Sequence, residues 1–321
     1  MTNPIVILCP GQGAQAVGMA KAWCETSAAA RGVFDVADEL LGAVWRELGV
    51  DLAGTKLSSL CFDGPAEVLN RTDVCQPAIF AASVASWRGW LETTGLGEAD
   101  ASVEAAAGLS LGEYTALHIA GALSFVDGLR LVALRGRAMQ EAAEAVGSGM
   151  VALIGADEES ANAVCDAARG SDVLVSANFN APGQVVISGS ASACDRAEAV
   201  AGEHGVRATR LQVAGAFHSP IMAPAAERLG EALAAAEVRM PRCTVMSNVT
   251  AEPHQSPEGI RRGLFDQLTS PVRWAACCEW LVNDTPDAAF HELAPGKTLG
   301  GMMRRINRGV KVAGHDGPDT P

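Results

Sequence analysis

The sequence predicts an α/β protein: a larger body around a parallel sheet, carrying a small inserted ferredoxin-like (βαββαβ) subdomain. Three observations lead there. Strand-like and helix-like runs alternate over most of the 321 residues. The first strand, Ile5-Val6-Ile7-Leu8, is apolar without a break, as in a strand covered on both faces. A change of grain at Gly147-Ser148-Gly149 then opens a compact unit with its own strand and helix order.

The first strand ends in a glycine turn, Pro10-Gly11-Gln12-Gly13, and residues 15–50 show helical spacing of apolar positions. A second helix is predicted over 76–91, a buried strand over 103–109, and helices over 114–120 and 126–145. The inserted unit reads strand 150–154, helix 158–168, strands 173–178 and 184–188, helix 192–204 and strand 206–213. Asn180-Ala181-Pro182-Gly183 marks the turn between its central strands. The returning chain supplies a helix over 221–236, strands over 244–247 and 288–292, and a glycine-led helix over 297–306. The predicted partition is therefore a large subdomain from 1–146 and 214–315, a small one from 147–213, and a disordered tail over 316–321.

Composition excludes several functions. Hydrophobic residues at 49% and charged residues at 19% describe a folded globular chain. A net charge of −13 leaves no basic surplus for nucleic acid. Nine cysteines occur without a CxxC pair, and the six histidines do not join them at ligand spacing. Reduced thiols in a cytoplasmic protein without a metal site are expected. The N-terminus lacks a basic leader region, and no run of 18 apolar residues exists, so neither a signal peptide nor a membrane span is expected.

The chemistry gathers around Gly108-Leu109-Ser110-Leu111-Gly112, a GxSxG pattern between a predicted strand and helix. Such an elbow needs small residues on both sides, exposes the hydroxyl and aims the following N–H at a reacting carbonyl. This makes the large body α/β-hydrolase-like. By pattern alone an ordinary turn serine fits equally well. A serine nucleophile needs a base, and His218, in the turn Gly215-Ala216-Phe217-His218-Ser219-Pro220, is the best placed. His291 is its main rival; His118, His204, His254 and His315 lie in less suitable segments. The Gly11–Gly13 loop matches neither phosphate-binding glycine pattern; it is a tight turn or a donor to an oxyanion hole. Arg130, Arg135 and Arg137 follow the elbow, and one of them inside a cleft would clamp a carboxylate.

Seven segments in order, "PGQGAQAVGM", "DVCQPAIF", "GLSLGEYTAL", "LVALRGRAMQ", "NAPGQVVISG", "GAFHSPIM" and "FDQLTSPVRW", together make the chain resemble the malonyl-CoA:acyl carrier protein transacylase family, the acyltransferases of fatty acid and polyketide synthesis. The resemblance implies Ser110 as nucleophile and His218 as base, in a dyad without a carboxylate. It places the oxyanion hole at the N–H groups of Gln12 and Leu111. It assigns substrate binding to Arg135, Gln267 and Phe217, with Arg135 on the malonyl carboxylate and Gln267 orienting His218 through its backbone carbonyl. Malonyl-CoA and acyl carrier protein are the implied partners, with no cofactor and a monomeric enzyme; a stand-alone polyketide acyltransferase is the nearest alternative. Two positions depart from the family pattern: Leu109 stands where histidine is common, and Ala14 where serine is common. An acidic carrier facing a chain at −13 calls for a local basic patch. Arg261, Arg262, Arg273, Arg304, Arg305, Arg308 and Lys311 are the candidates for it.

Overall fold

The computed structural model describes residues 4–52, 54–97 and 101–318. The first part of the chain forms β1 (Ile5–Cys9), α1 (Lys21–Thr26), α2 (Ala28–Glu47), α3 (Leu57–Asp63) and α4 (Ala66–Leu69). It continues through α5 (Thr72–Thr94), β2 (Val103–Gly108), α6 (Gly112–Ile119) and α7 (Phe125–Ala145). Next come β3 (Ser148–Ala156), α8 (Glu158–Arg169), β4 (Leu174–Ala181), β5 (Gly183–Ser190), α9 (Ala191–Val200) and β6 (Arg207–Arg210). The return supplies α10 (Ala223–Ala235), β7 (Thr244–Val245), α11 (Pro257–Asp266) and α12 (Trp274–Asp284). β8 (Ala289–Leu293), α13 (Thr298–Ile306) and β9 (Val312–His315) complete it.

Two sheets result. The larger is parallel throughout, in the order β7-β2-β1-β8-β9; the smaller is antiparallel, in the order β4-β5-β3-β6. The unbroken apolar run of β1 has a direct cause. Val6 and Leu8 pack into the cluster containing Trp274, Phe290 and Leu299, while Ile7 and Cys9 face the cluster of Trp23 and Phe80. Both faces of the strand are covered, so neither can be polar. The small sheet has its own core, with Val151, Leu153, Val164, Val185 and Ile187. The sheets are tied by backbone bonds at a seam, Phe179 N–H to the Val272 carbonyl (2.9 Å) and Val272 N–H to the Ala177 carbonyl (2.8 Å).

Several boundaries differ from the sequence reading. The single helical run over 15–50 is a loop as far as Ala20, then two helices divided at Ser27, whose hydroxyl caps α2 by accepting the Ala30 N–H (3.0 Å). The expected strands over 206–213 and 244–247 shrink to β6 and β7. Helices α3, α4, α11 and α12 were not expected, nor was β9, which pairs in parallel with β8 at the sheet edge. Asp316, assigned to the tail, accepts the Gly296 N–H at 2.8 Å, whereas 319–321 lie outside the described residues. All nine cysteines are free thiols, and burial pushes Cys165 up to about 11. Among the described residues no helix is long and apolar enough to cross a membrane.

The elbow is sterically specified. A Cβ on Gly108 would lie 1.8 Å from the Gly112 carbonyl carbon, and one on Gly112 would lie 2.1 Å from the Cys9 carbonyl oxygen. Backbone cannot yield there as a side-chain tip would. Gly108→Ala is therefore expected to cost about 1–3 kcal/mol or more, read as a lowered Tm. An unchanged melting curve would contradict this packing.

Candidate active site

Ser110 sits at the joint of β2 and α6 with φ at 52°, in the left-handed region, where a non-glycine residue is strained. Its N–H donates to Asn248 Oδ1 (2.6 Å), and Asn248 Nδ2 donates to the Gly108 carbonyl (2.8 Å). One asparagine thus braces both sides of the elbow.

His218 also has a positive φ, 58°, and is 4% exposed. Its Nδ1 lies 2.7 Å from the Gln267 carbonyl oxygen, and its Nε2 lies 2.8 Å from Ser110 Oγ. A carbonyl only accepts, so Nδ1 carries the proton and Nε2 presents a lone pair to the serine hydroxyl. Burial, reinforced by the Arg135 charge and partly offset by the Gln267 carbonyl, pushes the imidazole down to about 4.

The three arginines separate cleanly. Arg130 is exposed, and Arg137 pairs with Asp73 and Glu141. Arg135 is 1% exposed and reaches the site. Its Nη2 donates to Ser110 Oγ and Gln267 Oε1, both at 2.9 Å, and its Nη1 donates to Gln76 Oε1 (2.7 Å). Its Nε has no hydrogen-bond partner, and among the described residues no carboxylate forms an ion pair with it. Burial holds its pKa below the usual arginine value. A buried cation without an anionic partner is costly, so the site is suited to receive an anion.

These groups face one cavity of about 210 Å³, lined on the body side by Gln12, Leu109, Phe217 and the Ser110, His218 and Arg135 group. The small sheet contributes Met150, Asn178, Asn180 and Val186, and α13 contributes Leu299 and Met302. Asn180 Oδ1 is buried and has no hydrogen-bond partner. Among the described residues, no protein acceptor takes the main-chain N–H of Gln12 or Leu111. The Gln12 side chain makes long contacts to Thr72 (3.4 Å) and Gln76 (3.5 Å). Leu109, in the position where histidine was the expected residue, packs into the apolar cluster and touches the Gly11 turn.

The other histidines lie elsewhere. His118 bonds the Leu123 carbonyl, and His291 and His315 face each other at 2.8 Å beside Trp90. His204 ends a short turn of the small unit. His254 pairs with Glu113, its Nε2 lying 2.7 Å from Glu113 Oε1. His254 was weighed only as a base, and Glu113, Asn248 and Gln76 were not among the candidate site residues. Only Glu113 carried a signal, as an acidic residue directly after the elbow glycine.

Residues 6–314 match the acyl transferase domain family. The chain is 40% identical over 320 residues to the malonyl CoA-acyl carrier protein transacylase of Bacillus subtilis, covering 99% of this chain and 95% of that one. The crystal structure of a malonyl-CoA:acyl carrier protein transacylase from Xanthomonas oryzae superposes with a TM-score of 0.89 at 40% identity, covering 100% of this chain and 96% of the other. A malonyl-transacylase solved in complex with its type II polyketide acyl carrier protein is 36% identical, with a TM-score of 0.88 and coverage of 98% and 96%. The chain belongs to the acyltransferase family, among the malonyl-CoA:acyl carrier protein transacylases.

Proposed function

We propose that this enzyme moves a malonyl group from malonyl-CoA to the phosphopantetheine thiol of an acyl carrier protein, through a malonyl ester on Ser110, to supply fatty acid synthesis. The observation that carries the reading is the contact of Ser110, His218 and a carboxylate-free Arg135 inside one cavity. Relatives named for the same reaction support it, and the solved complex with a carrier protein supports the partner.

In this reading His218 Nε2 takes the Ser110 proton as Oγ attacks the thioester carbonyl. The oxyanion accepts from the Gln12 and Leu111 N–H groups. Collapse expels the CoA thiolate, which takes the proton from His218. The carrier thiol then enters, His218 takes its proton, and the thiolate attacks the ester, returning Ser110 as the alcohol. Gln267 keeps His218 in the required tautomer through its carbonyl, and Phe217 narrows the room beside the acyl α-carbon. Both half-reactions proceed without a cofactor, and one chain supplies every group, so a monomer suffices. The small unit acts as a ferredoxin-like wall on a hydrolase-like body, with the partition at 147–213.

Arg261 and Arg262 are engaged with the Leu233 and Ala236 carbonyls and with Asp266, and Arg273 lies beside Phe179 and Glu158. Arg304, Arg305, Arg308 and Lys311 are exposed at and beyond the end of α13, whose first turns line the cavity. They form the preferred carrier-docking patch.

The deciding experiment is a panel of acyl-CoAs with and without carrier protein, reading adduct mass and transfer together. A malonyl adduct that passes to carrier protein supports the reading. An adduct that decays to free malonate at the same rate with carrier present would make this a thioesterase.

The pH dependence has a definite sign. A base at about 4 is neutral throughout the physiological range, so adduct formation should stay flat from pH 8 to pH 5 and fall only near 4. A midpoint at 6.5 would contradict the burial of His218. The same group lowers stability on acidification: the unfolded imidazole takes a proton below 6.5, while the folded one resists until about 4.

A further inference from the structure

Glu113 occupies the first turn of α6, directly behind the nucleophile, and is 1% exposed. Every carboxylate oxygen is used. Oε1 faces His254 Nε2 at 2.7 Å; Oε2 accepts from Gln267 Nε2 (2.7 Å) and from the Asn248 N–H (3.1 Å). Each recipient leads back to the chemistry. Gln267 Oε1 accepts from Arg135, its carbonyl holds His218, and Asn248 Oδ1 holds the Ser110 N–H.

The Gln267 amide is the sensitive link. Its Nε2 donates to Glu113 and to the Ser110 carbonyl (3.1 Å), so its oxygen must face Arg135. Rotating the amide by half a turn would set donor against the Arg135 N–H and acceptor against the Glu113 carboxylate. An anionic Glu113 forbids that rotation, because a carboxylate only accepts. It also places a negative charge one amide away from Arg135, close enough to favour the cation yet not in contact with its N–H groups.

We propose that Glu113, steadied by His254, is a positioning residue: it locks the Gln267 amide so that Arg135 remains aimed at and open to the acyl carboxylate. This rests on the reading of Arg135 as the malonyl clamp. Glu113 touches neither substrate nor the reacting atoms and works only through Gln267.

The test compares malonyl-CoA with acetyl-CoA in Glu113→Gln. A neutral glutamine pairs with Gln267 in either orientation, so the malonyl-to-acetyl ratio of kcat/KM should fall about tenfold, through a raised malonyl-CoA KM. In the Arg135→Ala background the same substitution should leave the ratio unchanged. Equal losses for both substrates, or a further fall of the ratio in the Arg135→Ala background, would overturn the proposal. If Glu113→Gln fails to fold, Gln267→Leu serves instead. It removes the amide through which Glu113 acts, and the expected outcome is the same fall of the malonyl-to-acetyl ratio; retained selectivity would count against the proposal. A normal ratio in Arg135→Ala itself would remove the clamp reading, whereas a low ratio there with a normal one in Glu113→Gln would remove only the role of Glu113.

Discussion

Replacing Ser110 with alanine leaves no malonyl adduct on the protein, and transfer to carrier protein falls by roughly 10⁴-fold or more. The structure gives this substitution little else to disturb. The Ser110 N–H to Asn248 bond belongs to the backbone and survives, and the alanine methyl occupies the same positive-φ position as the serine Cβ. What disappears is the oxygen shared by His218 Nε2 and Arg135 Nη2. Intact mass after exposure to malonyl-CoA reads the outcome directly. An adduct of malonyl mass on Ser110→Ala would place the nucleophile elsewhere and undo the proposed mechanism. Cys9 and Cys75 adjoin residues of the site, and burial raises both thiols far above the neutral range, so they do not replace it.

Arg135→Ala carries the second large effect, a loss of malonyl over acetyl discrimination. Breaking a buried, hydrogen-bonded charge pair costs about 3–5 kcal/mol, roughly 10²- to 5 × 10³-fold in kcat/KM for malonyl-CoA. Acetyl-CoA brings no anion and loses little; it no longer has to leave a buried cation unpaired. A second readout separates this from general damage. The Arg135 charge is one cause of the low His218 pKa, so its removal should move the acid limb of acetyl transfer upwards from about 4. Unchanged malonyl preference, or an acid limb that does not move, would take Arg135 out of its assigned place.

How much of this was legible depends on how local each signal is. The elbow could be read because Gly108, Ser110 and Gly112 fall within five residues, and the steric reason for Gly108 is as local, although that for Gly112 is the distant Cys9 carbonyl. His218 stood out because it occupies a turn. Arg135 could not be told from Arg130 and Arg137 by spacing, since all three lie on α7, and only the family resemblance chose it. The brace behind the elbow was beyond reach: Asn248 and Gln267 lie 138 and 157 residues from Ser110. Helix α11 was missed because its exposed Glu258 and Arg262 surround only two buried apolar side chains, Ile260 and Leu264. The short strand β9 contains a glycine and depends on the β8 edge for its definition. The loop before α1 was misread because its alanines suit a helix, whereas Gly13 and Gly18 both take positive φ.

The division of labour around the cavity has a consequence for engineering. Nucleophile, base and arginine all come from the larger body, while the facing wall is Met150, Asn178, Asn180 and Val186 of the small sheet. The backbone bonds between β4 and Val272 hold that wall in place without using those side chains. The size of the chamber can therefore be altered from a wall that carries none of these three groups: exchanging β3–β5 side chains is expected to change the room left for the acyl chain, while the proposed Arg135 contact to its carboxylate and the proposed serine chemistry stay with the body.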